Sequence, residues 1–141
     1  MTKKELQATV RSLRSQIKNQ RVKLEGAVSK KRLPSSVTEF GFLATMRAMD
    51  ARGKDNPLNT PISKLNKKTL EAMVKQLSYL MNTETYTVSG YKSRLKELKQ
   101  ASIDTAVGYG IPSDVASKWT PKQWTKFWKI VDLLQETYNL P

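Results

Sequence analysis

Residues 82–92, NTETYTVSGYK, gather three threonines, two tyrosines and a serine between two segments of helical pattern. A hydroxyl oxygen can attack or accept a transferred group when a base activates it or when a second enzyme brings the chemistry. This chain has no His and no Cys. Ser–His and Cys–His pairs, thiolate chemistry, disulfides and the common zinc sites are therefore excluded. Asp50, Asp55, Asp104, Asp114 and Asp132 are scattered, with no spacing that suits an acid–base pair or a two-metal site. There is no Gly-rich phosphate loop. The sequence predicts a non-enzyme with no metal and no cofactor. The joint itself reads as turn and cap, because Asn, Ser and Thr side chains bond nearby N–H groups where one helix ends and another begins. Thr87 alone would supply such a cap.

The second chemical signal is charge. The chain carries 25 Lys and Arg against 12 Asp and Glu, a formal net charge of +13. A surplus of that size repels itself in the folded state and points to a polyanionic partner. Nucleic acid comes first, ahead of an anionic membrane surface or an acidic protein. Residues 1–33 hold a net +8, residues 34–100 a net +5, and residues 101–141 are neutral. That gradient suggests a basic arm over 1–33 and a packed or partner-facing module over 34–141.

The elements that must position these charges are helical. Thr2 and Glu5 have capping-box spacing. Leu6, Val10, Leu13, Ile17 and Leu24 then follow steps of four and three, with Gln20 in the missing place. This is a heptad seam that predicts a helix from about Lys3 to Glu25, ending near Gly26, and allows self-association through that helix. Arg11, Arg14, Lys18 and Arg21 repeat beside the seam and should stack into one basic stripe. Lys30, Lys31 and Arg32 extend it. Ser36 and Glu39 suggest a second capping box, and Gly53 a stop. Asn66 is placed to cap a helix bearing Leu70, Met73, Val74, Leu77 and Leu80. A basic helix from about Gly90 carries Lys92, Arg94, Lys96 and Lys99. Thr120 and Pro121 open a last helix whose Trp124, Phe127, Trp128, Val131 and Leu134 share a face.

No segment shows sustained period-two alternation, so the fold class is all-α: an amphipathic N-terminal helix followed by a small helical bundle. The basic residues are expected to meet phosphates, most readily those of DNA, since evenly spaced Lys and Arg position a protein without reading bases. Trp124, Phe127 and Trp128 are expected in core or in a protein interface rather than stacked on bases. No apolar run approaches the roughly 20 residues of a membrane span. The N-terminus has acidic and polar residues where a signal peptide carries its apolar block. A soluble, intracellular protein is expected.

The order of elements carries a resemblance. The block LNKKTLEAMVKQLSYLMNTETYTVSGYKSRLKEL resembles one found in small basic terminal proteins, or terminal-protein-like proteins, of phages that replicate linear genomes by protein priming. The matching positions are Leu70, Leu77, Asn82, Thr85, Thr87, Val88 and Gly90, followed by the aromatic-rich QWTKFWKIVDLLQETY. Tyr86 departs from the pattern by replacing the middle hydroxyl of the joint. The resemblance covers roughly residues 65–136, and the front helix by character alone. It implies a protein in the cytoplasm of a bacterial host that binds DNA and a phage DNA polymerase. It also implies a side-chain hydroxyl offered in place of a primer 3′-OH, with the chemistry left to the polymerase and its metals. The attachment position does not transfer by motif. Tyr109 and Ser113 in the VGYGIPSD loop, and Tyr138 near the C-terminus, are the candidates.

Two other functions fit the same composition. One is a small phage-encoded regulator or host-defence inhibitor that binds a protein or a ribonucleoprotein. The other is a structural organiser of nucleic acid. Steep salt dependence of DNA binding would separate either DNA-directed reading from purely protein-directed inhibition.

Overall fold

The structure, a computed structural model, describes residues 1–138. It is all-α: six helices and no strand among the described residues. They are α1 (Lys3–Ser29), α2 (Gly41–Asp50), α3 (Lys67–Met81), α4 (Val88–Gly108), α5 (Ser113–Ala116) and α6 (Pro121–Tyr138). The chain divides into two compact units, Met1–Leu95 and Lys96–Pro141. The division expected after residue 33 is thus not where the units part. Apolar burial sets the boundary where charge suggested another, because the α1 seam packs against α3 inside the first unit.

That packing also answers how the seam is used. Leu6, Val10, Ile17 and Leu24 are at most 2% exposed, in one core with Leu70, Leu77 and Leu80 of α3 and Phe42, Leu43 and Met46 of α2. The seam is covered within the chain and offers no apolar stripe to a second copy, which corrects the expectation of self-association through this helix. At its start, Thr2 Oγ1 accepts the Glu5 N–H at 3.2 Å and donates to the Glu5 carboxylate at 3.1 Å.

α1 does not stop at Gly26. Burial of Leu24 and Ala27 carries it one turn further, to Ser29. The end is a Schellman closure: the Arg32 N–H reaches Ala27 O at 2.8 Å and the Lys31 N–H reaches Val28 O at 3.1 Å. Lys31 occupies the left-handed position with φ 61°, where glycine is favoured by about 1 kcal/mol. Gly26 meanwhile sits inside a helix, where alanine would be better by roughly 0.5–1 kcal/mol, and a Cβ there would meet nothing within 4 Å.

The second capping box is not used as expected. Residues Ser35–Glu39 form a short 3₁₀ turn, and α2 begins at Gly41 with Phe40 as an N-cap whose side chain makes no capping bond. The caps come from the hydroxyl-rich joint instead. Thr85 Oγ1 accepts the Phe42 N–H at 2.8 Å, and Tyr91 OH accepts the Leu43 N–H at 2.6 Å while donating to Phe40 O at 3.3 Å. Gly41 has φ +72°, and a Cβ on it would fall 2.0 Å from Thr85 Oγ1. Tyr86 donates to Gln16 O of α1 at 3.2 Å and sets its ring edge-on to Phe42 at 5.0 Å. NTETYTVSGYK is therefore a clamp joining α1, α2 and α4.

The remaining caps follow the sequence. Asn66 Oδ1 accepts the Thr69 N–H at 2.8 Å, and Thr87 Oγ1 accepts the Gly90 N–H at 3.1 Å. Gly90 lies within the first turn of α4 rather than before it. Thr120 and Gln123 cap each other's backbone N–H groups at 3.4 and 2.8 Å, a full capping box ahead of Pro121. The second unit has its own core of Ile103, Ala106, Ala116, Phe127 and Val131.

Candidate nucleic-acid interface

Charge follows the division into units. Residues 1–95 hold 19 Lys and Arg against 7 Asp and Glu, a net of +12, while residues 96–141 hold 6 against 5, a net of +1. Nearly all of the electrostatic attraction for a polyanion thus resides in the α1–α3 unit and its share of α4.

The α1 stripe resolves into two kinds of residue. Arg11 and Lys18 are exposed. Arg14 instead turns into the loop before α3, where Nε donates to Pro57 O at 2.9 Å and Nη2 to Thr60 O at 2.6 Å. Its partial burial lowers its pKa from the ordinary guanidinium value. Arg21 makes a two-pronged pair with Asp50, Nη1–Oδ1 3.0 Å and Nη2–Oδ2 2.6 Å, and its Nε reaches Glu25 at 3.0 Å. The hydrogen bond to Asp50 is the largest cause holding the Arg21 pKa above its usual value, and the same bond holds the Asp50 carboxyl below its own. Four cations at helical spacing do share a side of α1, but two of them hold the fold together. Spacing alone carries no information on which carbonyls and carboxylates come to meet them.

Lys30, Lys31 and Arg32 are all exposed at the α1 closure. On α4, Lys92 and Arg94 are exposed in the first unit, and Lys96 and Lys99 are exposed in the second. In the first unit, Lys23, Lys30 and Arg32 line a groove of about 490 Å³ together with Val22, Gly26 and Val88. No Asp or Glu lines it. A second groove of about 560 Å³ borders the clamp, lined among others by Tyr79, Asn82, Glu84 and Arg94.

The candidate hydroxyls part company. Tyr109 is half-buried, its ring edge-on to Phe127 at 6.0 Å, so it belongs to the core of the second unit. Ser113, the first residue of α5, and Tyr138, the last described residue, are exposed. Nothing in the sequence pattern singles out Tyr79, yet it is 76% exposed at the edge of the clamp groove. It sits on the opposite side of α3 from Leu70, Leu77 and Leu80, and its apolar type hides that difference.

Of the three aromatic residues, Phe127 is buried and Trp124 half-buried, packed with Trp119 at centroid distances of 4.9–5.8 Å. Trp128 stacks on Trp124 at 6.3 Å and remains 37% exposed. Trp119 is a core member that the helical spacing of α6 could not reveal, since it precedes the helix. Among the described residues, no three His, Cys, Asp or Glu side chains converge on a position that could hold a metal ion. No helix is long and apolar enough to cross a membrane.

No protein-family model matches the chain, and no curated protein or solved structure shows significant similarity to it. The functional reading therefore rests on the residues themselves.

Proposed function

We propose that this chain is a nucleic-acid-binding protein of the terminal-protein kind, acting in phage DNA replication in the host cytoplasm and held on DNA through phosphate contacts. The observation that carries the reading is the concentration of +12 in residues 1–95 against +1 in the remainder. Self-repulsion on that scale is relieved by a polyanion whose condensed counterions are released on binding. Arg11, Lys18, Lys30, Lys31, Arg32 and Lys92 are the exposed cations of the first unit assigned to phosphates. In the finer form of the reading, a polymerase attaches the first nucleotide to an exposed hydroxyl. Ser113, Tyr138 and Tyr79 meet the requirement of exposure that Tyr109 does not.

The test has two levels. Fluorescence anisotropy against labelled DNA, with polyglutamate as a competitor of matched charge, checks for nucleic-acid binding beyond general polyanion attraction. Equal competition by polyglutamate counts against the DNA reading. Incubation with a cognate protein-priming polymerase, a divalent metal and a labelled dNTP, followed by intact mass, checks priming. The expected product is one covalently attached nucleotide, and its absence with an active polymerase removes the finer claim.

A second reading, a small regulator that binds a host protein or ribonucleoprotein, is favoured by one observation. Ile130 and Leu133 of α6 are 57% and 62% exposed, on the same helix as the half-open Trp128. Exposed apolar residues on one helix are a feature of protein interfaces.

A further inference from the structure

We infer that the groove at the C-terminal end of α1 is a site for one phosphate of a single-stranded nucleic-acid segment, with the attached sugar and base laid on its apolar floor. The inference rests on the nucleic-acid reading above and gives it a location. Lys23, Lys30 and Arg32 line the groove, no carboxylate lines it, and among the described residues none of the three forms an ion pair. Three positive charges exceed the roughly half charge at a helix C-terminus that they would otherwise serve to balance. The α1 carbonyls there are moreover already occupied by backbone N–H groups of residues 30–33. An excess of positive potential is left facing a concave surface.

Two residue choices at this groove are locally unfavourable and have no packing reason. Gly26 lines it from inside a helix, where open space lies over its missing Cβ. Lys31 holds a left-handed conformation that glycine would hold more easily, between the two lysine and arginine positions it directs. Departures from local preference that coincide at one place mark function more often than accident. A glycine there lets a ligand approach the helix backbone closely. A lysine there adds charge beside the same opening.

The floor decides between strand types. Val22, 70% exposed, and Val88 give the groove an apolar base between its cations. A duplex presents phosphates on a convex surface with its bases stacked inside, so it gains nothing from such a floor. An unstacked nucleotide does, and aliphatic contact is tolerant of which base is present.

The test uses the full chain with a labelled dT oligonucleotide and a blunt hairpin duplex. K30A/R32A should lower single-strand affinity at least tenfold and reduce the magnitude of the salt slope by about 1.4, or about 0.7 for each lost phosphate contact. The control K67A/K68A, at the exposed start of α3, should stay within about threefold, in the range of one distant screened contact. V22N should weaken the single strand and leave the duplex unchanged. G26A should raise the melting temperature by a few degrees, roughly 2–4 °C, and yet weaken single-strand binding, a combination that a purely structural role for the glycine would not give. Equal losses for the groove and control variants, or for the two nucleic acids, would overturn the site while leaving nucleic-acid binding standing. No binding of either nucleic acid by the unaltered protein would overturn both.

Discussion

The Thr85 hydroxyl accepts the backbone N–H of Phe42 at 2.8 Å across 43 residues of sequence. It does for α2 what an N-cap side chain does for most helices, from a different part of the chain. Both partners are buried, Phe42 fully and Thr85 at 3% exposure, so the bond has no water to replace it.

Thr85→Val keeps the shape and removes the acceptor. It should destabilise the protein by about 1–3 kcal/mol, the penalty for a buried N–H left unsatisfied. Thr85→Ser keeps the oxygen and should cost less. Urea denaturation of the two variants checks this, and equal losses would mean that the methyl group rather than the hydroxyl matters. Gly41→Ala at the same contact combines a left-handed φ with a Cβ that overlaps Thr85, and should be worse than either.

Tyr91 supplies the second cap, and burial pushes its phenol above the ordinary value, partly offset by the hydrogen bond it accepts from Leu43. A group whose folded pKa is raised stabilises fully below its unfolded pKa, about 10 for Tyr, and loses that contribution as pH rises through the folded value. Melting temperature should therefore fall on the alkaline side of pH 10. Tyr91→Phe should be less stable at neutral pH, since it strands the Leu43 N–H, and should show a shallower alkaline decline. An unchanged alkaline limb in the variant would contradict the assignment.

The Arg21–Asp50 pair gives the opposite pH signature. The Asp50 carboxyl is held below its usual range, so its contribution is complete above about pH 4 and is lost as pH falls through the lowered folded value. The Asp50 side chain is 47% exposed, so solvent screening limits the effect to about 0.2–1 kcal/mol. Asp50→Asn should remove this acid-side slope, and high salt should mimic much of the substitution. Thermal melts from pH 2 to 6 check both.

How much of this could be read from the residues depends on distance along the chain. The α1 seam, the Asn66 cap and the Thr120–Gln123 box were legible because each pattern closes within a few residues. The α1 end was not, since Leu24 and Ala27 are buried by elements that come later and hold the helix past Gly26. The Thr85 and Tyr91 caps were invisible for the same reason, and residues 36–39 drew the capping pattern to the wrong place. On the candidate site, charge located the right half of the molecule. It could not separate exposed Lys18 from Arg14, whose guanidinium bonds two carbonyls more than forty residues away.

That separation yields its own prediction. Arg14→Ala should lower stability by about 1–3 kcal/mol through the lost bonds to Pro57 O and Thr60 O, with little change in the salt dependence of DNA binding. Lys18→Ala should do the reverse: stability within about 0.5 kcal/mol of the original and a salt slope smaller by about 0.7–0.9. Parallel denaturation and binding measurements on the two variants check the division. The same pattern in both would mean that the stripe acts as one unit.

The most direct measurement is the salt dependence of DNA binding by the intact chain, taken as the slope of log K against log salt concentration. If residues 1–95 engage a phosphate backbone through several exposed cations, the slope should be steeper than about −3, corresponding to four or more contacts at about 0.7–0.9 each. A slope shallower than about −1, or no binding at low salt, would contradict a nucleic-acid role and leave a basic helical protein whose partner is another protein.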